Sequence, residues 1–266
     1  MSNSVSHTSF PSVVVFDFDG TLSTFRCGWE SDMHALMTEQ IAPSDPESVG
    51  IFVDAYIDQS TGIQTIFQME WLREQVIQRG ENPVVLDAWD YKALYNEMLM
   101  KSVGGRVRDV IDGRVSPDRY LVAGAREFLE ALRAGGARLF AASGTDDADV
   151  KREAKALGLD VYFERINGAP PLKKDCSKES LIRELIGGQG ISGGDVLVVG
   201  DGKVEIRLGK EAGARTLGIA SDEERGGFSE RKADRLRQAS ADWIVGDFSD
   251  LYGIMAWINC RHNDQD

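Results

Sequence analysis

Residues 12–23, SVVVFDFDGTLS, form the stretch that most constrains the fold of this chain. Apolar and aromatic residues surround the first of its two acids and a Gly-Thr turn follows, which predicts a buried strand that ends in carboxylates. Because strand side chains alternate, Asp17 and Asp19 are expected on the same side, at the sheet edge where open α/β folds bind ligands. Two adjacent carboxylates repel each other unless a cation or a proton lies between them, which indicates a divalent metal site.

From about residue 116 onward, apolar runs typical of strands alternate with stretches of helical periodicity. Short connections between them predict an α/β fold with a doubly wound parallel sheet. After the first strand, strands are predicted at 137–143, 160–166, 195–202, 214–220 and 241–245, and helices at 116–134, around 150–157, and at 177–186, 203–212 and 229–239.

The segment 24–115 has a different pattern. Apolar residues recur there at helical spacing with little sign of strands, and Pro43 and Pro46 separate two of the predicted helices. We therefore expect a helical cap domain at 24–115, inserted into an α/β domain made of residues 1–23 and 116–266.

Composition argues against several classes of partner. The formal net charge of −13, without a basic run, disfavours nucleic acid and anionic membrane surfaces. No stretch approaches the ~20 apolar residues of a membrane span and the first ten residues do not resemble a secretory signal, so a cytoplasmic location is expected. Cys27, Cys176 and Cys260 are widely separated, which predicts unpaired thiols. The oligomeric state stays open.

Three predicted strands end in polar residues, namely Asp17 with Asp19, then Ser143, then Asp201. The ends of parallel strands meet at one sheet edge, so these residues are expected to converge on one crevice. Their order, an acid pair, a Ser, a Lys and a further acid, resembles the four motifs of the haloacid dehalogenase-like hydrolases, which are mostly Mg-dependent phosphatases. The resemblance covers the whole sheet domain and implies a Rossmann-like core with a helical cap inserted after the first motif.

The resemblance implies a role for each motif residue. Asp17 would attack phosphorus and form an aspartyl-phosphate, and Asp19 would protonate the leaving oxygen and then activate water. Ser143 and the amide of Gly144 would hydrogen-bond the phosphoryl oxygens.

The implied cofactor is Mg²⁺. Its ligands would be the Asp17 carboxylate, the main-chain carbonyl of Asp19, Asp201 and, directly or through water, Glu205. The family often has Asp at the position of Glu205, so direct ligation by Glu205 stays open.

A cation is needed beside the nucleophile, and Lys173, Lys174 and Lys178 all lie in the right segment. We choose Lys178 because it comes just before an apolar helical pattern. Its separation from Asp201 along the sequence also resembles the separation found in the phosphoserine-phosphatase branch of the family. Arg26 and Trp29 stand at the start of the cap, where they are candidates either for substrate contact or for packing at the hinge.

These features predict a Mg-dependent phosphatase acting on a small phosphomonoester, such as a sugar phosphate or another phosphorylated metabolite. A phosphomutase of the same family is the alternative. A phosphonate hydrolase would need a cap lysine, and Lys92 and Lys101 have no supporting motif. The intact acids argue against a non-catalytic binding module. The motifs contact only the phosphoryl group, so the identity of the leaving group stays open.

Overall fold

The computed structural model describes residues 10–174, 177–185 and 191–260. Within these ranges the chain forms a six-stranded parallel sheet with helices around it, so the predicted fold class is confirmed. The strands are β1 (Val13–Phe16), β2 (Arg138–Asp146), β3 (Arg165–Ala169), β4 (Val196–Gly200), β5 (Arg215–Ile219) and β6 (Trp243–Val245).

The helices fall into two groups. Four follow β1 directly and the others alternate with the later strands, as a parallel sheet with crossover connections requires. The first group is α1 (Trp29–Ile41), α2 (Gly50–Gln59), α3 (Thr65–Arg79) and α4 (Ala88–Ile111); the second is α5 (Ala125–Ala134), α6 (Asp147–Ala156), α7 (Ser177–Arg183), α8 (Lys203–Glu211), α9 (Glu230–Gln238) and α10 (Leu251–Asn259).

Strand β1 lies in the middle of the sheet, whose strand order is β3-β2-β1-β4-β5-β6. Val13 pairs with Arg138 on one side and with Val196 on the other, so β1, β2 and β4 run in step. The carboxyl ends of these three strands therefore lie side by side, which brings together the residues that follow them.

Every residue of β1 is buried, as expected for a central strand covered on both faces. Val14 and Phe16 belong to the larger core cluster, which also contains Phe128 of α5. Val13 and Val15 belong to a second cluster, which contains residues of α7. Full burial of one such side chain stabilises the fold by about 1.5–3 kcal/mol, so β1 is held firmly from both sides.

Helices α1 to α4 pack on one another, and their buried residues join the larger core cluster. The chain leaves and rejoins the sheet region at hydrogen-bonded neighbours. The Thr24 amide donates to the Tyr120 carbonyl at 2.9 Å, and the Val122 amide donates to the Leu22 carbonyl at 3.0 Å. The division of the chain into a sheet domain and a cap domain stays a prediction.

The predicted helix at 116–134 is wrong as one continuous element. A 3-10 turn at Pro117–Tyr120 comes first, and α5 begins only after Gly124. Gly124 has a φ of 73°, and a Cβ atom there would lie 2.5 Å from the carbonyl oxygen of Phe248. Pairing of residues 120–122 with 22–24 takes the backbone out of helical geometry before this glycine.

The predicted strand at 160–166 begins too early. Residues Asp160–Tyr162 form a 3-10 turn, and β3 starts at Arg165, where pairing with Phe140 of β2 begins. Cys27 and Cys260 are free thiols as predicted, whereas Cys176 and Ile186 lie outside the described residues. Among the helices that the structure describes, none has the length and apolar character needed to cross a bilayer.

Candidate active site

Asp17 follows β1 directly and extends its pairing, because the Asp17 amide donates to the Val199 carbonyl of β4 at 2.8 Å. Its carboxylate is buried at the carboxyl end of the sheet. Burial raises the pKa of Asp17 well above its usual range; the positive charge of Lys178 opposes this shift, and the neighbouring acids Glu205, Asp201 and Asp19 add to it.

Lys178 is the lysine that reaches Asp17. Its Nζ atom lies 3.0 Å from Oδ1 of Asp17 and 2.8 Å from Oε2 of Glu205, and all three side chains are buried. Lys173 and Lys174 are exposed, and Lys174 pairs with Glu70 of α3. Burial lowers the pKa of Lys178, but the two carboxylates beside it raise this pKa by more than burial lowers it. The amine is therefore held in its charged form.

Asp19 lies on the same side as Asp17 and is oriented by two hydroxyls. Its Oδ2 atom accepts hydrogen bonds from Ser143 Oγ and Thr145 Oγ1, each at 2.9 Å. Its Oδ1 atom is buried and has no hydrogen-bond partner among the described residues, with Arg26 Nε 3.6 Å away. Ser143, predicted to contact phosphate, thus also holds Asp19 in place.

The predicted metal-binding carboxylates are close together. One oxygen each from Asp17, Asp201 and Glu205 lie within 4.8 Å of one another, and all three residues are buried. Hard carboxylate oxygens are the ligands that Mg²⁺ prefers, and a divalent cation would relieve the mutual repulsion that adds to the raised pKa of Asp17. The donor set therefore fits a divalent metal.

Glu205 has protein partners on both of its oxygens. Oε1 accepts a hydrogen bond from the Gly202 amide at 2.5 Å, and Oε2 accepts one from Lys178 at 2.8 Å. Glu205 thus caps the start of α8 and positions Lys178, so its part in holding a metal stays a prediction.

The turn after Asp19 requires glycine. Gly20 has a φ of 74°, and a Cβ atom there would lie 2.3 Å from Oδ2 of Asp201. The next residue, Thr21, donates its hydroxyl to Oδ1 of Asp201 at 3.3 Å. The Gly-Thr pair of the first motif therefore serves to bring the β1 loop against the acid that follows β4.

Lys232 of α9 and Glu223 of the loop after β5 also belong to the site, although no sequence motif marks them. Lys232 Nζ lies 2.8 Å from Oδ2 of Asp201 and 2.7 Å from Oε1 of Glu223. Burial raises the pKa of Glu223. Both residues lie in a charged stretch that resembles an exposed surface segment, and the only signal in the sequence was that this stretch follows another predicted strand end.

One cavity of about 100 Å³ connects these residues with the first group of helices. Asp17, Asp19, Ser143, Gly144, Lys178 and Asp201 line it from the sheet, and Arg26 and Trp29 line it from the start of the helical segment. The structure therefore brings together every residue that the sequence nominated for this site, with Glu205 directly behind Lys178.

Arg26 makes a buried pair with Glu153 of α6, which the sequence did not indicate. Nη2 lies 2.7 Å from Oε1 and Nε lies 3.2 Å from Oε2, so the contact is bidentate. Glu153 is fully buried. Burial raises the pKa of Glu153 to about 7, against the opposing effect of the Arg26 charge.

Comparisons with known proteins identify the family of the chain. A family model of the haloacid dehalogenase-like hydrolases matches residues 11–213. A phosphoglycolate phosphatase of Haemophilus influenzae is 23% identical over 246 residues, which cover 91% of this chain and 97% of that protein.

Solved structures share the fold at low sequence identity. A predicted phosphoglycolate phosphatase of Haemophilus somnus has a TM-score of 0.63 at 18% identity, covering 94% of this chain and 99% of that one. The β-phosphoglucomutase of Clostridium difficile has a TM-score of 0.61 at 13% identity, covering 94% and 97%. From the family match across most of its length, the chain belongs to the haloacid dehalogenase-like hydrolases.

Proposed function

We propose that the protein is a Mg²⁺-dependent phosphatase that hydrolyses a small phosphomonoester through an aspartyl-phosphate. The observation that carries this proposal is the buried Asp17 carboxylate, which lies 3.0 Å from Lys178 and close to Asp201 and Glu205 at the end of the central strand. A carboxylate is a competent nucleophile at neutral pH when cations screen it from the phosphate.

Asp17 supplies the attacking oxygen, which forms a bond to phosphorus as the bond to the leaving oxygen breaks. A bound divalent metal would supply positive charge next to the phosphoryl oxygens, and Asp17, Asp201, the Asp19 carbonyl and, directly or through water, Glu205 would hold it. The positive charge of Lys178 favours the ionised form of Asp17 and so opposes burial, which raises the pKa of this acid.

Asp19 is the proposed acid and base. Its Oδ2 atom is fixed by the Ser143 and Thr145 hydroxyls, which leaves Oδ1 as the atom that exchanges a proton. In the first step Oδ1 gives its proton to the leaving oxygen, and in the second it takes a proton from the water that attacks the aspartyl-phosphate. The Gly144 amide and Lys178 would bind the phosphoryl oxygens. Ser143 has one hydroxyl proton, so it would bind them by releasing Asp19, whose Oδ2 atom Thr145 would still hold.

The helical segment 24–115 is the proposed cap. It supplies one wall of the cavity, which excludes bulk water from the reacting groups and favours a small-molecule substrate. Action in the cytoplasm stays a prediction.

Two other reactions are weaker candidates. A phosphomutase would return the phosphoryl group to a sugar phosphate and would need a bisphosphate activator. A phosphonate hydrolase would need a cap lysine in the cavity, yet Lys92 pairs with Asp146 and Lys101 is exposed. Among the described residues that line the cavity, Lys178 is the only lysine.

The test is release of inorganic phosphate from p-nitrophenyl phosphate and from a panel of phosphorylated metabolites, with and without Mg²⁺. We expect Mg²⁺-dependent turnover without any bisphosphate. Turnover that requires a bisphosphate would favour the mutase, and a complete lack of turnover on every compound would contradict the proposal.

A further inference from the structure

The wall of the cavity that segment 24–115 supplies is almost free of charge. Its side chains are apolar or neutral and polar, and Arg26 is the one charged group among the described lining residues outside the motif acids, Lys178 and Glu223. The neutral side chains that matter most here are Trp29, Thr65, Gln68, Tyr95 and Leu99.

The charge of Arg26 is already balanced by protein carboxylates. Beyond its bidentate contact with Glu153, the guanidinium has Asp19 Oδ1 3.6 Å from Nε and Asp149 Oδ2 3.9 Å from Nη2. Glu153 is fully buried and does not line the cavity. A substrate anion that took Arg26 from Glu153 would leave a buried carboxylate unpaired, which is strongly unfavourable.

The lining residues also carry an excess of negative charge. The carboxylates of Asp17, Asp19, Asp201 and Glu223 outnumber the lining cations Lys178 and Arg26, and they still do so when Lys232, which pairs with Asp201 and Glu223 from outside the lining, is added. A bound divalent metal and a phosphate dianion would offset each other, so they would add no positive charge for a second anionic group. A second anionic group on the substrate would therefore meet like charges without a cation to pair with.

Neutral hydroxyl groups suit the same wall. Thr65, Gln68 and Tyr95 offer uncharged donors and acceptors, and Nη1 of Arg26 takes no part in the ion pairs described above. Trp29 and Leu99 offer apolar surface to the carbon skeleton of a substrate.

We propose that the leaving group of the substrate is a neutral, hydroxylated fragment, as in sugar and polyol phosphates, and that carboxylated phosphates are poor substrates. This inference rests on the proposed phosphatase function and narrows its substrate class. The expected substrate therefore differs from phosphoglycolate, the carboxylated phosphate that appears in the name of the Haemophilus influenzae relative.

The test uses two matched pairs of compounds at pH 8 with Mg²⁺, namely 2-hydroxyethyl phosphate against phosphoglycolate and glycerol 3-phosphate against 3-phosphoglycerate. This pH lies above the pKa of about 7 that burial gives Glu153, so the ionised form that pairs with Arg26 is favoured. We expect kcat/KM to be at least tenfold higher for the neutral member of each pair. Equal or higher values for the carboxylated members would overturn the inference.

A binding measurement separates this inference from the proposed function. Calorimetry on Asp17→Asn with the same four compounds and Mg²⁺ gives Kd without turnover. Tighter binding of the neutral members supports the inference even if the wild type hydrolyses nothing, whereas tighter binding of the carboxylated members overturns it. Absence of turnover on all compounds, p-nitrophenyl phosphate included, counts against the phosphatase function alone.

A variant tests the reason given for the preference. Glu153→Gln keeps the shape of the side chain but removes the charge that balances Arg26, so the kcat/KM ratio of carboxylated to neutral substrate should rise at least fivefold. Glu164→Gln, in an exposed pair with Arg138, is the control and should leave the ratio unchanged. If Glu153→Gln does not fold, Asp149→Asn should shift the ratio in the same direction. An unchanged ratio in the folded variant would overturn the inference.

Discussion

Lys178 Nζ lies 3.0 Å from Oδ1 of Asp17, and both side chains are buried at the carboxyl end of the central strand. Burial alone would favour the protonated acid, which is a poor nucleophile. The positive charge of Lys178 opposes this effect before any substrate arrives, because it favours the ionised form of Asp17. This relationship makes Asp17 the first residue to test.

Asp17→Asn should lower kcat/KM at least 10³-fold, a loss of about 4 kcal/mol of transition-state stabilisation, because an amide is nearly isosteric with the acid but a poor nucleophile. Steady-state phosphate release measures the loss, and circular dichroism should show an unchanged fold. Asp90→Asn, at an exposed position of α4, is the matched control. Activity within about tenfold of wild type would rule out Asp17 as the nucleophile.

Asp19→Asn should allow a slow first step and then stall, because the amide cannot activate water against the aspartyl-phosphate. Mass spectrometry of the quenched variant should show a mass increase of one phosphoryl group. Peptide mapping should place that group on Asp17. Rapid turnover without a trapped intermediate would show that another group acts as the base.

Removal of divalent metal by EDTA should abolish activity, and Mg²⁺ should restore it. Ca²⁺ should inhibit, because its larger and looser coordination shell would misplace the Asp17 carboxylate. Calorimetric titration of Mg²⁺ should show weaker binding to Asp201→Asn than to wild type. Full activity in the presence of chelator would refute the metal assignment.

At pH 8, Arg26→Ala should lower the free energy of unfolding by about 3–5 kcal/mol, because it leaves the buried Glu153 carboxylate without its partner. Urea denaturation measures this loss. Arg26→Met combined with Glu153→Met should recover most of the stability. Arg138→Ala breaks an exposed ion pair with Glu164 and should cost about 1 kcal/mol or less. A cost for Arg26→Ala no larger than this control would contradict the role of the pair.

The raised pKa of Glu153 leads us to expect that the free energy of unfolding depends on pH. Its pKa is raised from 4.5 to about 7 in the folded protein, chiefly by burial, so folding favours the protonated form. This contribution is fully present below pH 4.5 and is lost as the pH rises through 7, by about 3 kcal/mol. Urea titrations of wild type relative to Glu153→Gln should show the decline. A difference that is flat between pH 4.5 and 8 would contradict the shift.

The sequence predicted the site residues that directly follow strand ends, but not Glu153 and Lys232, whose side chains approach the site from helices α6 and α9. Asp17, Ser143 and Asp201 could be found because an apolar run ending in a polar residue marks the edge of a parallel sheet. Glu153 could not, because its contact with Arg26 depends on which face α6 turns toward the loop after β1. Lys232 could not, because an isolated charged helix position resembles a solvated one until its neighbours are known.

The hydrogen bonds between residues 22–24 and 120–122 have an evolutionary consequence. These bonds hold the two ends of the helical segment together. The length and sequence of the segment therefore place little constraint on how β1 pairs with its neighbours. Doubling a loop costs only about 0.6 kcal/mol in closure entropy. Related proteins can therefore differ in these helices, and so in the substrates that they bind, while the reacting groups at the end of the sheet keep their positions.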